Sequence, residues 1–156
     1  MDEYRLKAAF LFHFAELVDW PVEAFDGDRK PLVLCTLGGN PFEGGLEAVV
    51  NGKLLGARQI RVRHLKQAQE IPGCHVLFIG SSEQARVPMI LAKLKDAPIL
   101  TVGEPEEFVK DGGMIGLRLE GNRVRFDINL EAARRAGLKI SSRLLVLARI
   151  VIGGHS

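Results

Sequence analysis

Three short apolar runs constrain this chain more than any other feature: Leu32–Leu37, Cys74–Ile79 and Pro98–Val102. Each has the length of a strand and is bounded by turn-forming residues. Near-continuous apolarity means that both faces of such a strand must be covered, which is the habit of parallel sheets. Helical patterns fill the intervals. Gly38-Gly39-Asn40-Pro41 leads into a helix through Val50, with Asn40 as cap and Pro41 as first helical residue. Ser81 opens another helix to about Lys95 with the Ser-x-x-Gln spacing of a capping box, and a short helix is expected near Pro105–Lys110. Gln59–Leu65 alternates Ile60 and Val62 with Arg61 and Arg63, as a half-exposed strand does. The expected class is α/β: a three-layer flavodoxin- or Rossmann-like parallel sheet with right-handed crossovers and flanking helices.

The two ends of the chain have a different style. Residues 4–20 read as a helix, stopped by Pro21, which pushes Trp20 away from helical geometry. Its apolar residues run around most of the cylinder, so more than one side needs cover. Met114–Leu119 and Arg123–Ile128 flank Glu120-Gly121-Asn122 as a C-terminal antiparallel hairpin. Asn129 is placed to cap a helix from Leu130 to Ala136, and Gly137 to end it. A last helix is expected from Ser141 or Ser142 to about Ile152, again apolar around most of its girth. No repeat or linker interrupts residues 1–156, so one domain is expected.

Composition narrows the partners. No apolar run reaches the roughly 18 residues of a membrane span. Net charge is +2, yet residues 1–50 carry four basic and nine acidic side chains, whereas residues 118–149 carry eight basic and three acidic ones. Docking of the two ends explains such a split, and so does a basic face for an acidic partner. Nucleic acid is disfavoured because no aromatic residues interleave the arginines.

Parallel sheets bind ligands at the carboxyl ends of their strands, so catalytic residues should appear there. The loop Gly38–Gly45 matches neither a P-loop nor a dinucleotide fingerprint. The strand ends at Thr36-Leu37-Gly38 and Gly80-Ser81 lack the aspartates of a phospho-receiver. No Gly-x-Ser-x-Gly elbow occurs, and His13, His64, His75 and His155 have no metal-ligand spacing. No catalytic residue, metal or cofactor is assigned, and a binding function is expected. Gly38, Gly39, Ser81 and Ser82 form the one candidate ligand crevice, for an anion or an amino-acid-like molecule. Cys35 lies in the first buried strand and Cys74 opens the next one, strands that would be neighbours in a sheet of order 2-1-3; they are compatible with two buried thiols or with a bridge.

Several stretches carry a resemblance. Tyr4-Arg5-Leu6-Lys7-Ala8-Ala9-Phe10 through Val18-Asp19-Trp20-Pro21 resembles the opening of YfiR-like proteins, as do Leu34-Cys35-Thr36-Leu37-Gly38 and Cys74-His75-Val76-Leu77-Phe78-Ile79. The strongest match runs from Gly112-Gly113-Met114 through Asn122-Arg123-Val124-Arg125-Phe126-Asp127 to Ser141-Ser142-Arg143-Leu144-Leu145. The resemblance implies a periplasmic protein made with a cleaved leader. Met1-Asp2-Glu3-Tyr4-Arg5 has no signal-peptide features, so residues 2–156 read as the mature part. It implies repression of a membrane-bound diguanylate cyclase through its periplasmic sensor region, with control of cyclic di-GMP and biofilm formation. An OmpA-like outer-membrane lipoprotein would withdraw the repressor. It also implies a Cys35–Cys74 disulfide; the second cysteine pair of some relatives has no counterpart here.

Girdling apolarity of the first and last helices motivates a homodimer, because a monomer would leave part of that surface wet. The hairpin and the helix after it supply the candidate partner contacts Ile115, Arg125, Asp127, Arg134 and Arg135. A periplasmic small-ligand sensor for another signalling protein is the alternative.

Overall fold

The computed structural model describes residues 2–25, 27 and 30–153. His155, and Asp26, Asp28 and Arg29 of the polar loop, lie outside the described residues. The expected central strands form as β2 (Leu32–Leu37), β4 (Arg58–Leu65), β5 (Val76–Ile79) and β6 (Leu100–Gly103). β2 lies between β4 and β5, all three are parallel, and β6 extends the sheet beyond β5. Side-chain alternation sends Leu32 and Leu34 of β2 to one apolar cluster, Cys35 and Leu37 to the other. β5 divides the same way: Val76 and Phe78 against Leu77 and Ile79. This double burial is why those runs are apolar throughout.

The sheet is mixed: the expected antiparallel hairpin is built into it, and the parallel Rossmann-like description holds only for its central strands. β7 (Ile115–Glu120) joins β6 in parallel and then turns back through a two-residue loop into antiparallel β8 (Arg123–Asn129). β3 (Leu54–Leu55) pairs antiparallel with β4 at one edge, and β10 (Ile150–Ile152) pairs parallel with β8 at the other. Among the described residues these eight strands run in the order β10-β8-β7-β6-β5-β2-β4-β3.

The last helix is where the expectation fails most. α5 covers only Ser142–Leu147, capped by the Ser141 hydroxyl, which accepts from the Arg143 N–H. Ala148 is already extended, and Ile150–Ile152 is a strand. The competing force is tertiary. The Arg149 N–H donates to the Phe126 carbonyl at 2.7 Å, and its guanidinium makes two 2.9 Å hydrogen bonds to the Asp127 carboxylate. Those anchors and the β-branched run that follows favour pairing with β8 over a further helical turn.

α1 is likewise shorter than expected, Glu3–Glu16, with the Asp2 side chain accepting from the Tyr4 N–H. β1 (Val18–Asp19) leaves it to pair antiparallel with β9 (Lys139–Ile140), which buries Val18. Its all-round apolarity is consumed inside the chain: Phe14 packs 5.1 Å from Phe126, Phe10 packs 5.9 Å from Phe126, and the Lys53 ammonium sits 5.3 Å from the Phe12 ring. α1 therefore supplies no argument for a partner subunit.

Three further helix boundaries shift. Asn40 precedes a turn that begins at Pro41, and α2 (Gly45–Val50) starts only after Glu43 and Gly44, both at positive φ, have broken the helical path. Ser81 does not form a capping box; a 3-10 turn over Ser81–Arg86 precedes α3 (Val87–Leu94), where Pro88 occupies the first turn. Residues 105–110 make successive turns rather than a helix, and they seat Phe108 against the backbone of Gly103 and Gly113. A Cβ at Gly113 would lie 2.2 Å from that ring, so the close approach requires glycine. α4 (Leu130–Arg135) forms as expected, with the Asn129 side chain accepting from the Ala132 N–H.

Candidate functional site

At the carboxyl ends of β2 and β5, Gly38 and Ser82 come close together. A Cβ on Gly38 would stand 2.9 Å from the Ser82 hydroxyl and 2.9 Å from the Glu83 side chain, so glycine is what lets these segments pack together. Gly39 has nothing within 4 Å of such a Cβ and is exposed. Ser81, one of the four expected crevice residues, lines an open cavity. That cleft lies one strand pair further along, over the ends of β5, β6 and β7, with a volume of about 330 Å³. Glu3, Tyr4, Lys7, Ser81, Glu104, Arg118 and Asp127 provide its polar lining.

The buried ammonium of Lys7 is central to the cleft. It bonds Glu104 at 2.6 Å and also meets Glu3, one turn earlier on α1. Glu104, itself buried, takes the Ser81 N–H on its other oxygen at 3.2 Å. The lysine lies 4.9 Å from the Tyr4 ring. Burial, the hydrogen bond to Glu104 and the negative charges of Glu104 and Glu3 together push the Tyr4 phenol well above its ordinary range. A phenol so held donates a hydrogen bond and is a poor base at neutral pH. The folded state therefore retains the Tyr4 proton more tightly than the unfolded chain does. Stability should be intact below about pH 10, the usual tyrosine value, and fall as pH rises beyond it. Tyr4 is the single tyrosine, so phenolate absorbance reads it alone. A titration midpoint at the ordinary value would contradict this account.

A second constellation was not visible in the sequence. The Thr36 hydroxyl lies 2.7 Å from His64 Nδ1, and His64 Nε2 lies 2.7 Å from Glu47. Burial raises the Glu47 carboxyl, but the His64 hydrogen bond and a backbone bond outweigh it and leave the group below its usual value. The order hydroxyl, imidazole, carboxylate is that of a nucleophilic triad. Thr36 is only 1% exposed, so its oxygen has no access to a substrate. The chain of bonds ties α2 to β4 and β2. The register Thr36↔His64 could have signalled it, but only once the strand pairing was known.

The candidate partner residues separate into two groups. Ile115 is fully buried opposite Ile128 in the core, and Asp127 is buried and taken up by Arg149. Arg125, Arg134 and Arg135 remain at the surface. Arg125 and Arg149 lie 3.8 and 3.9 Å from Glu120, and Arg118 lies 3.6 Å from it, so one glutamate serves three arginines. Arg135 pairs with Glu131 at 3.0 Å, and Arg134 reaches the Gly153 carbonyl at the end of β10.

Part of the apolar girth expected at the C-terminal end is exposed. Val146 and Leu147 of α5 are 81% and 66% exposed, and Ile150 and Val151 of β10 are substantially exposed. β10 is the outermost strand, so its outer backbone edge has no strand beside it among the described residues. It carries no charge and no proline, the usual devices that protect an edge.

Cys35 and Cys74 are joined by a disulfide, with Cα atoms 6.0 Å apart and both residues buried. Cys74 lies two residues before β5 rather than opening it. Such bridges persist in oxidising compartments, and among the described residues no helix is long and apolar enough to cross a membrane. The bridge fits a periplasmic protein of the kind the resemblance implied. The family model for YfiR/HmsC-like proteins matches residues 4–149, nearly the whole chain. That match points to a regulator of cyclic di-GMP signalling that acts on a partner rather than by catalysis. By the reach of this match, the chain belongs to the YfiR/HmsC-like family.

Proposed function

We propose that this protein is a periplasmic repressor that binds the sensor region of an inner-membrane diguanylate cyclase and so limits cyclic di-GMP and biofilm formation. Residues 1–156 act in this reading as one domain. The observation that carries it, beside the family, is the exposed apolar surface of α5 and β10, with Arg134 reaching the end of β10. Such a surface has the composition of an interface, an apolar centre with arginine at its border. The same edge suits a homodimer, and an OmpA-like lipoprotein would compete for the repressor. Leu147→Asp and Arg134→Glu should each abolish or strongly weaken capture of the sensor domain and raise cellular cyclic di-GMP. Both residues are exposed, so the fold should survive, and circular dichroism checks this. Capture unchanged in both folded variants would sink the placement.

A small-ligand sensor is the second reading, favoured by the ion-lined cleft around Lys7 and Glu104. A ligand that binds only the native state raises its melting temperature. A metabolite panel that produces no shift in wild-type protein would count against it.

A further inference from the structure

His75 stands just before β5, and its ring is buried between two segments that are distant in sequence. Nδ1 accepts from the Val33 N–H at 2.9 Å, and Nε2 lies 2.8 Å from the Ala24 carbonyl. A backbone N–H can only donate and a carbonyl can only accept. Both contacts are therefore satisfied by one species alone, the neutral imidazole with its proton on Nε2. Ala24 belongs to a 3-10 turn, Val22–Ala24, in the strap that leads from β1 to β2. The ring also stacks on Phe25, centroids 4.3 Å apart and planes 20° apart, while the Arg58 guanidinium lies 3.7 Å from the same Phe25 ring. Behind the strap is a cavity of about 510 Å³, lined by Ala24, Ile71, Cys74, His75, Leu94 and Ile99 among others.

We propose that His75 is a proton-operated latch: neutral, it clamps the Pro21–Phe25 strap to the sheet, and a second proton on Nδ1 releases the strap and opens the cavity behind it. The second proton would point at the Val33 N–H, so two donors would face each other and the ring would have to leave its seat. The imidazolium would also share Phe25 with the Arg58 cation. The other charged groups that face the ring across the cavity are Glu23 on the strap and Lys93 on α3. Glu23 is exposed and favours the extra proton, whereas Lys93 and Arg58 oppose it. Burial and then Arg58, against the Ala24 hydrogen bond, hold the imidazole below its ordinary value. The latch is therefore fully closed above about pH 6.5 and loses its hold as pH falls below that.

Trp20 is the single tryptophan and donates to the His75 carbonyl at 3.1 Å, so its emission reports the strap. Lowering pH from 7.5 should give a reversible red shift of Trp20 emission with a midpoint below 6.5. Nile red, a neutral dye, should gain fluorescence over the same range while far-ultraviolet circular dichroism stays constant. His75→Gln should show no such transition, and a His13→Gln/His64→Gln protein should keep it. If His75→Gln does not fold, ring-nitrogen NMR of the wild type decides, because the His75 resonances must titrate together with the Trp20 shift. A His75 ring that stays neutral through the transition, or a Trp20 shift that coincides with global unfolding, would overturn the proposal.

Discussion

Replacing both Cys35 and Cys74 with alanine should lower the unfolding free energy by about 3–4 kcal/mol, the chain-entropy value for a loop of this size. The bridge closes a segment with a sequence separation of 39, and it joins the central strand β2 to the approach of β5. The loss would remove a large share of the roughly 5–15 kcal/mol that holds an ordinary domain together. Urea unfolding with and without reductant measures it. Because both cysteines are buried, a reducing agent should act slowly on the native protein and quickly once urea opens the fold. Equal midpoints for the oxidised protein and the double-alanine variant would mean that the bridge contributes no net stability. The alanine variant also loses sulfur packing in the cluster with Leu77, Ile90 and Ile99. Comparison with reduced wild type separates packing loss from the release of the constraint.

Lys7→Ala should cost about 3–5 kcal/mol, because it leaves the Glu104 carboxylate buried without its counter-charge. The remaining partners, the Ser81 N–H and the Tyr4 phenol, are neutral dipoles and cannot replace an ammonium. Glu3 is partly exposed and can turn to water, so the cost should fall mainly on Glu104. The informative comparison is Lys7→Met with Glu104→Leu. Removing both charges and keeping the volume should restore most of the loss, since apolar packing replaces a buried ion pair at little net cost. A double-mutant cycle with strong coupling is expected. If the double variant is as unstable as Lys7→Ala, the ion pair is not the cause of the loss.

The central strands were legible because their burial on both faces leaves a one-dimensional signature, a short apolar run between turn residues. The β7–β8 hairpin was legible from Glu120-Gly121-Asn122, and α4 from Asn129, whose cap is local. The segment from Ser142 to Ile152 was misread because Leu144, Leu145, Leu147, Ile150 and Val151 satisfy a helical spacing and a helix-to-strand path equally well. What ended α5 was Asp127, fifteen or more positions away along the chain, through its two bonds to Arg149. The burial of Ile115 and Asp127 was illegible for the same reason: which side of a hairpin faces the core depends on what packs there. The cleft was also illegible, since Lys7 and Glu104 are 97 residues apart and neither stands in a motif.

The sequence by itself determined the strand-and-helix alternation and the family. Those properties follow from local periodicity, turn chemistry and residue identity. Only the tertiary structure decided that the sheet is mixed, that α1 is covered from within, and that the wet apolar surface lies on α5 and the edge of β10. The reason is that burial and charge pairing act through space, and a chain that satisfies several local patterns is resolved by the contacts that remote residues make.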